Sequence, residues 1–124
     1  MKIQLETWKI QTLNFSMIEE PRDDNSFELK TGQVFPDDDR MTFVVMFGVE
    51  LKDRLFDMNL DAAFVFKTEV EISEEFKISN FPKINAPAIA FPYIRAFISN
   101  LTLQSGFEPV ILPSINFVKL AEED

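Results

Sequence analysis

Cysteine and histidine are both absent from the 124 residues. That removes disulfide frameworks, thiol nucleophiles, imidazole bases and nearly all zinc-binding patterns in one step. Any catalysis would have to run on carboxylate, Lys, Ser or Tyr groups. Glycine is scarce, and the three present, Gly32, Gly48 and Gly106, lie too far apart to form a phosphate-cradling loop. No apolar run reaches the roughly 20 residues that a membrane span needs. The longest candidate, residues 86–103, is interrupted by Arg95, Ser99 and Asn100. The opening Met1-Lys2-Ile3, followed by alternating polar residues, lacks the apolar centre of a signal peptide, so a soluble, cytoplasmic protein is expected. Positive charge is also short: 12 Lys+Arg against 21 Asp+Glu leave a net charge of −9, which repels phosphate backbones and anionic lipid. Neither nucleic acid nor a membrane is expected as a partner, and basic or apolar polypeptide fits better.

Phenylalanine is what the chain has in excess, with 14 Phe against one Tyr (Tyr93) and one Trp (Trp8). Phe has no polar handle, so each ring needs a core, a subunit interface or an apolar binding surface. The length is that of a single domain, 1–124, and so much apolar surface in one domain implies a homo-oligomer.

Alternation of polar and apolar residues places four strands. Ile3 and Leu5, then Trp8 and Ile10, then Leu13, Phe15 and Met17 change phase twice, which one long strand manages only with bulges or a strong bend. An edge or inter-subunit position suits such a strand. The polar stretch 19–26, with Pro21, reads as a connecting loop, and alternation resumes from Ser26 to Phe35. Met41, Phe43, Val45, Phe47, Val49 and Leu51 form an odd-numbered apolar row. After a short turn the phase becomes even, from Phe56 through Phe66 and on to Val70 and Ile72, so the last two strands form a hairpin.

Beyond Ser73 the period changes. Pro82 and Pro87 read as excluding regular structure from Phe81 to Ala88, and Pro92 suits the first turn of a helix that stops at Gly106. Arg95, Ser99 and Thr102 form a narrow polar stripe on it. Tyr93, Ile94, Phe97, Ile98 and Leu101 fill most of the remaining girth, so they are the expected oligomer interface. Ser114 is the expected N-cap of a last helix over Ile115–Glu123. The layout is therefore four antiparallel strands followed by two helices.

Chemistry-bearing clusters are few. An EF-hand loop starting at Asp37 needs Gly at its sixth position and Glu at its twelfth, where Thr42 and Gly48 stand, so Asp37-Asp38-Asp39 reads as a hairpin turn without metal. The carboxylate pairs Glu19/Glu20, Glu74/Glu75 and Glu122/Glu123 lie in polar segments or at a terminus, away from the burial that acid/base work requires. No cofactor, no metal and no enzymatic activity are expected.

The run Phe91-Pro92-Tyr93-Ile94-Arg95-Ala96-Phe97-Ile98-Ser99, then Gly106-Phe107-Glu108-Pro109 and Leu112-Pro113-Ser114-Ile115-Asn116-Phe117, resembles the C-terminal half of the SecB family. That family carries F-P-Y-x-R-x-x-I-[ST] on its main helix, a G-x-F-P-like turn and L-x-P-[VI]-N-F before its last helix. The resemblance implies an α+β fold, with both helices packed on one face of the four-stranded antiparallel sheet, and a holdase chaperone for unfolded polypeptides, assembled as a dimer or a tetramer. It also implies apolar grooves lined by the crossover between the first two strands, the second strand, and the connector and last helix. By position, Phe27, Leu29, Phe107, Ile111, Ile115 and Phe117 are the expected peptide-binding residues. Protein export is one implied use, and protection of a dedicated client such as an antitoxin is another. Export members present carboxylates on the outer sheet to the motor SecA; the corresponding positions here are Thr12, Ser16 and Lys67, so weak SecA docking is expected. The prolines before Ala88 also imply a later start of the main helix than in export members. A competing reading from the residues alone is a carrier of a small apolar ligand, with its pocket between the Phe-rich sheet and the main helix.

Overall fold

A computed structural model describes residues 1–123. The chain divides into two compact units, Met1–Ser73 and the segment from Glu74 onward.

The first unit is a four-stranded antiparallel sheet of order β1-β4-β3-β2, with β1 at Ile3–Met17, β2 at Ser26–Val34, β3 at Thr42–Lys52 and β4 at Phe56–Thr68. The two phase changes in β1 are two bulges. Leu5 pairs with Phe66 and Thr7 with Val65, leaving Glu6 extra; Ile10 pairs with Ala62 and Thr12 with Asp61, leaving Gln11 extra. Each extra residue turns the apolar set back to one face of the sheet. That face carries Phe43, Val45, Phe47, Val49 and Leu51 of β3 and Phe56, Met58, Leu60, Ala62, Phe64 and Phe66 of β4, all buried. Aromatic rings run across it. Trp8 stacks on Phe64 at 4.9 Å, Phe47 meets Phe64 edge-on at 5.4 Å, and Phe43 stacks on Phe66 at 5.1 Å. Such pairs add to area burial through their quadrupoles.

β4 ends at Thr68, short of the expected Ile72. The Thr68 hydroxyl donates to the Val70 carbonyl, and the Ile72 amide donates to the Arg40 carbonyl at 2.7 Å, so the chain leaves the ladder while Ile72 stays buried.

The second unit holds a one-turn helix α1 (Glu74–Lys77), a π-helical turn (Phe81–Asn85), the main helix α2 (Ala86–Gln104) and α3 (Phe117–Glu122). The prolines do not keep residues 81–88 irregular, and α2 begins earlier than expected. Pro82 and Pro87 each sit at the first or second position of a helical segment, where the missing N–H costs least. Pro92 lies inside α2 instead of opening it. Its ring removes the bond to the Ala88 carbonyl, but both residues are exposed, so water can serve that carbonyl.

α2 ends as the sequence implies. Gly106 takes φ 94°, its amide donates to Leu103, and the Phe107 amide donates to Thr102, the paired bonds of a Schellman turn. The cap of α3 is Asn116 rather than Ser114: its side-chain oxygen accepts from the Lys119 amide at 3.1 Å.

Candidate functional site

In the sheet unit the candidate residues lie on β2, an edge strand whose outer side has no strand partner among the described residues. Phe27 pairs with Leu51 and Leu29 with Val49, so both point to the apolar face, and both are half-buried. β2 runs in unbroken register with β3 from Ser26 to Val34. An unbulged edge with free backbone groups on its outer side is a template for an extended peptide.

The opposite face of the sheet is mixed, with Val44, Met46, Ala63 and Val65 half-buried among polar groups. Thr12 Oγ1 donates to Asp61 Oδ2 at 2.7 Å, Asn14 donates to Asn59, and Ser16 stands opposite Asp57. A depression of about 320 Å³ lies over Gly48, lined by Glu28, Lys30, Glu50, Asn59 and Asp61 among others. Its charged lining does not suit a small apolar ligand. Carboxylates thus remain on this face beside the Thr12 and Ser16 positions, Asp61 and Asp57 of β4, with Glu28 and Glu50 farther toward β2.

Lys67 is not a bare positive charge on this face. Its ammonium donates to Asp39 Oδ2 at 2.9 Å and to the Thr42 hydroxyl, while that hydroxyl donates to the same Asp39 oxygen at 2.6 Å. The Met41 amide donates to Asp39 Oδ1 at 3.0 Å. The third Asp of the triplet thus staples the β2–β3 connection to the end of β4. The Thr42 hydroxyl first, then Lys67 and the Met41 amide, lower the Asp39 pKa from 3.8 to about 2. The Asp39 carboxylate in turn raises the pKa of Lys67. A depressed folded-state pKa contributes stability that is present above the unfolded value and lost as pH falls through the folded one. Asp39→Asn is therefore expected to lower stability at neutral pH and to flatten the acid limb of the melting curve between pH 3.8 and about 2. Thermal melts across that window check it, and an unchanged acid limb refutes it.

In the helical unit the connector after α2 is tied down by Thr102. Its hydroxyl is fully buried, hydrogen-bonds the Ile98 carbonyl at 2.9 Å and accepts the Val110 amide at 2.9 Å. Thr102 is thus a buried clamp rather than part of a surface stripe. With the Schellman turn, it holds Phe107 half-buried and leaves Ile111 78% exposed, while Leu112 is the connector's buried anchor. Ile115 is half-buried. Phe117 is only 7% exposed and meets Phe91 edge-on at 5.8 Å, so it offers an incoming peptide little surface.

The residues expected at an oligomer interface divide on α2. Ile94 and Ile98 are fully buried within the chain, Phe97 and Leu101 are half-buried, and Tyr93 is exposed. Ile89, Tyr93, Ala96, Asn100 and Leu103 are all exposed and recur at spacings of four, three, four and three, the pattern of a helix-pairing seam. Ile89 and Leu103 were not among the expected interface residues. Their spacing is visible in the sequence, but on a helix apolar around most of its girth it does not stand out. Among the described residues no group of three or more carboxylates is arranged to hold a metal ion, and no helix is long and apolar enough to cross a membrane.

Comparison with known proteins gives a consistent result. A model of the family described as preprotein translocase subunit SecB matches residues 6–124. The protein-export protein SecB of Magnetococcus marinus is 31% identical over 115 residues, 86% of this chain and 68% of that protein. The protein-export protein SecB of Mesorhizobium japonicum is 30% identical over 89 residues, and the match spans 53% of its length. In fold, the chain is similar to a SecB-like chaperone of Mycobacterium tuberculosis solved in complex with a ChAD peptide from the HigA1 antitoxin. The TM-score is 0.72 at 16% identity, covering 91% of this chain and 87% of that one.

Proposed function

The chain belongs to the SecB family, and from that membership we propose that it is a holdase subunit that keeps unfolded polypeptides from aggregating, in protein export or for a dedicated client such as an antitoxin. The observation that carries this reading is the family match over residues 6–124, nearly the whole chain. The bacterial relatives named for protein export support the first use, and the Mycobacterium tuberculosis chaperone with its antitoxin peptide supports the second. The surface agrees with either: Ile78, Ile89, Tyr93, Leu103, Ile111 and Val118 are large apolar side chains left in water. No catalysis is part of the proposal.

Phe27 and Leu29 of the sheet unit, with Phe107, Ile111, Ile115 and a marginal Phe117 of the helical unit, are the client contacts. The chain works as one domain, 1–124, in the cytoplasm, and assembles with copies of itself as a dimer or tetramer through the exposed seam of α2. A single cooperative thermal transition is the expected sign of one domain, and two separate transitions refute it.

Added at near-stoichiometric subunit to a refolding protein, the chain is expected to delay light scattering from aggregates. Delay with several unrelated clients supports a general holdase, and delay with one client alone supports the dedicated role. No delay with any client, an antitoxin included, overturns the proposal.

SecA docking is weak in this reading. Asp39 offsets the charge of Lys67, and Asp61 and Asp57 stand beside Thr12 and Ser16, so only the absence of carboxylates at Thr12 and Ser16 themselves carries the argument. Opposite charges on exposed faces supply encounter rate and register, and titration of SecA at low and physiological salt reads both. Tight, salt-sensitive binding by the wild type contradicts this part.

A further inference from the structure

β1 and β2 lie at opposite edges of the sheet, so residues 18–25 must cross the ends of β4 and β3 to join them. Three strand spacings amount to about 14 Å, whereas eight extended residues reach about 27 Å. Chain length therefore leaves the path of this crossover undetermined. Its own charge is one-sided, because Glu19, Glu20, Asp23 and Asp24 surround one cation, Arg22, while the hairpin end it crosses carries Asp53 and Asp57 beside Lys52 and Arg54.

Arg22 fixes that path. Its guanidinium donates to the Asp53 carbonyl at 2.6 Å and to Asp57 Oδ1 at 2.8 Å. Its amide donates to the Arg54 carbonyl at 2.9 Å, and Arg54 Nε donates back to the Arg22 carbonyl at 3.3 Å. The Ile18 amide donates to the Leu55 carbonyl at 3.1 Å. Ile18 and Arg22 are the half-buried residues of the crossover, and the others are exposed. The segment is thus an acidic strap latched across the β3–β4 hairpin by the Arg22 guanidinium together with backbone bonds at Ile18 and Arg22, four residues before β2 opens at Ser26. A planar guanidinium that bonds a carbonyl and a carboxylate together fixes direction as well as distance, which an ammonium cannot do.

We propose that Arg22 is a positioning residue for client binding: it latches the crossover over the β3–β4 hairpin and thereby holds the start of β2, with Phe27 and Leu29, in the geometry that receives an extended client. The proposal rests on the holdase reading for its second half only. Without the Arg22 side chain the bonds to the Asp53 carbonyl and to Asp57 are lost, the crossover holds four carboxylates and no cation, and the latch opens.

The test compares wild type, Arg22→Ala, Arg22→Lys and the control Asp23→Ala as full chains. Hydrogen exchange at the amides of residues 18–29 reads the latch, and anisotropy of labelled, carboxymethylated α-lactalbumin, a permanently unfolded probe, reads binding. Light scattering and thermal melts monitor assembly and stability. Arg22→Ala is expected to speed exchange across the crossover and at Phe27, and to weaken probe binding by roughly tenfold, the scale of a lost charge-assisted hydrogen bond. Mass is expected to stay unchanged. Arg22→Lys is expected to restore only part of the affinity, and Asp23→Ala to bind as tightly as wild type. Wild-type exchange in Arg22→Ala overturns the latch. Affinity lost only in step with assembly or melting temperature overturns its positioning role. If the wild type itself binds no probe and no antitoxin, the holdase reading fails, and exchange alone still decides the latch.

Discussion

Phe64→Ala is expected to cost about 3–5 kcal/mol, the usual range for removing a fully buried aromatic ring. The ring is completely buried near the centre of β4, with Trp8 stacked on it at 4.9 Å from one neighbouring strand and Phe47 edge-on at 5.4 Å from the other. Its loss opens a cavity that rigid flanking strands cannot close, and it removes two ring contacts along with the transfer energy. A loss of that size is a large share of the roughly 5–15 kcal/mol by which domains are stable. The variant is therefore expected to melt far below the wild type or to populate the unfolded state at ambient temperature. Phe64→Leu keeps most of the volume and is expected to fold with a smaller loss. Trp8 is the sole tryptophan, so its emission reports on this site directly. Equal melting midpoints for Phe64→Ala and wild type would show that these rings do not hold the sheet together.

The second large effect concerns assembly. Two aspartates placed on the α2 seam, Tyr93→Asp with Leu103→Asp, are expected to reduce the proposed oligomer to monomers of 14.4 kDa. Both side chains are about half exposed in the single chain, so the substitutions need not disturb the fold. Both positions also belong to the four-and-three spacing that lets helices pair. Each copy carries −9, so association has to overcome mutual repulsion, and salt is expected to strengthen wild-type assembly by screening it. Buried aromatic anchors dominate such interfaces. Replacing Tyr93 and Leu103 of the proposed interface with carboxylates is expected to weaken association by roughly a hundredfold or more. Light scattering across a concentration series measures it. A wild type that is monomeric at all concentrations would remove the premise, and a double variant of unchanged mass would move the interface away from this seam.

The sheet was legible because its signal is local. Odd residues of β3 and even residues of β4 carry the apolar side chains, and the two phase flips of β1 mark the two bulges at Glu6 and Gln11. The helical unit was less so, because proline has opposite meanings at different positions. Pro82 and Pro87 sit where a helix forgives the missing donor, and Pro92 sits where exposure lets water compensate; neither can be told from composition. The cap of α3 was misplaced because Ser114 and Asn116 both suit the role. The candidate contacts were named by resemblance and position. What the sequence could not give was their degree of burial, which separates Ile111 from Phe117 and Tyr93 from Ile94 and Ile98. Arg22 was hidden for a related reason: its partners lie more than thirty residues away, across a hairpin.

The strand order also sets the order of events after synthesis. β3 and β4 are joined by a tight turn, whereas β1 pairs with β4 across as many as 65 residues, from Ile3 to Thr68. Contacts that close long loops form late, so the hairpin precedes the docking of β1. In that interval the row from Phe43 to Phe66 lacks Trp8 and Phe15, and the newly made chain exposes bare aromatic surface of the kind that drives aggregation. Refolding yield is accordingly expected to fall as chain concentration rises, and to recover when already folded subunits are present to shelter the newcomers.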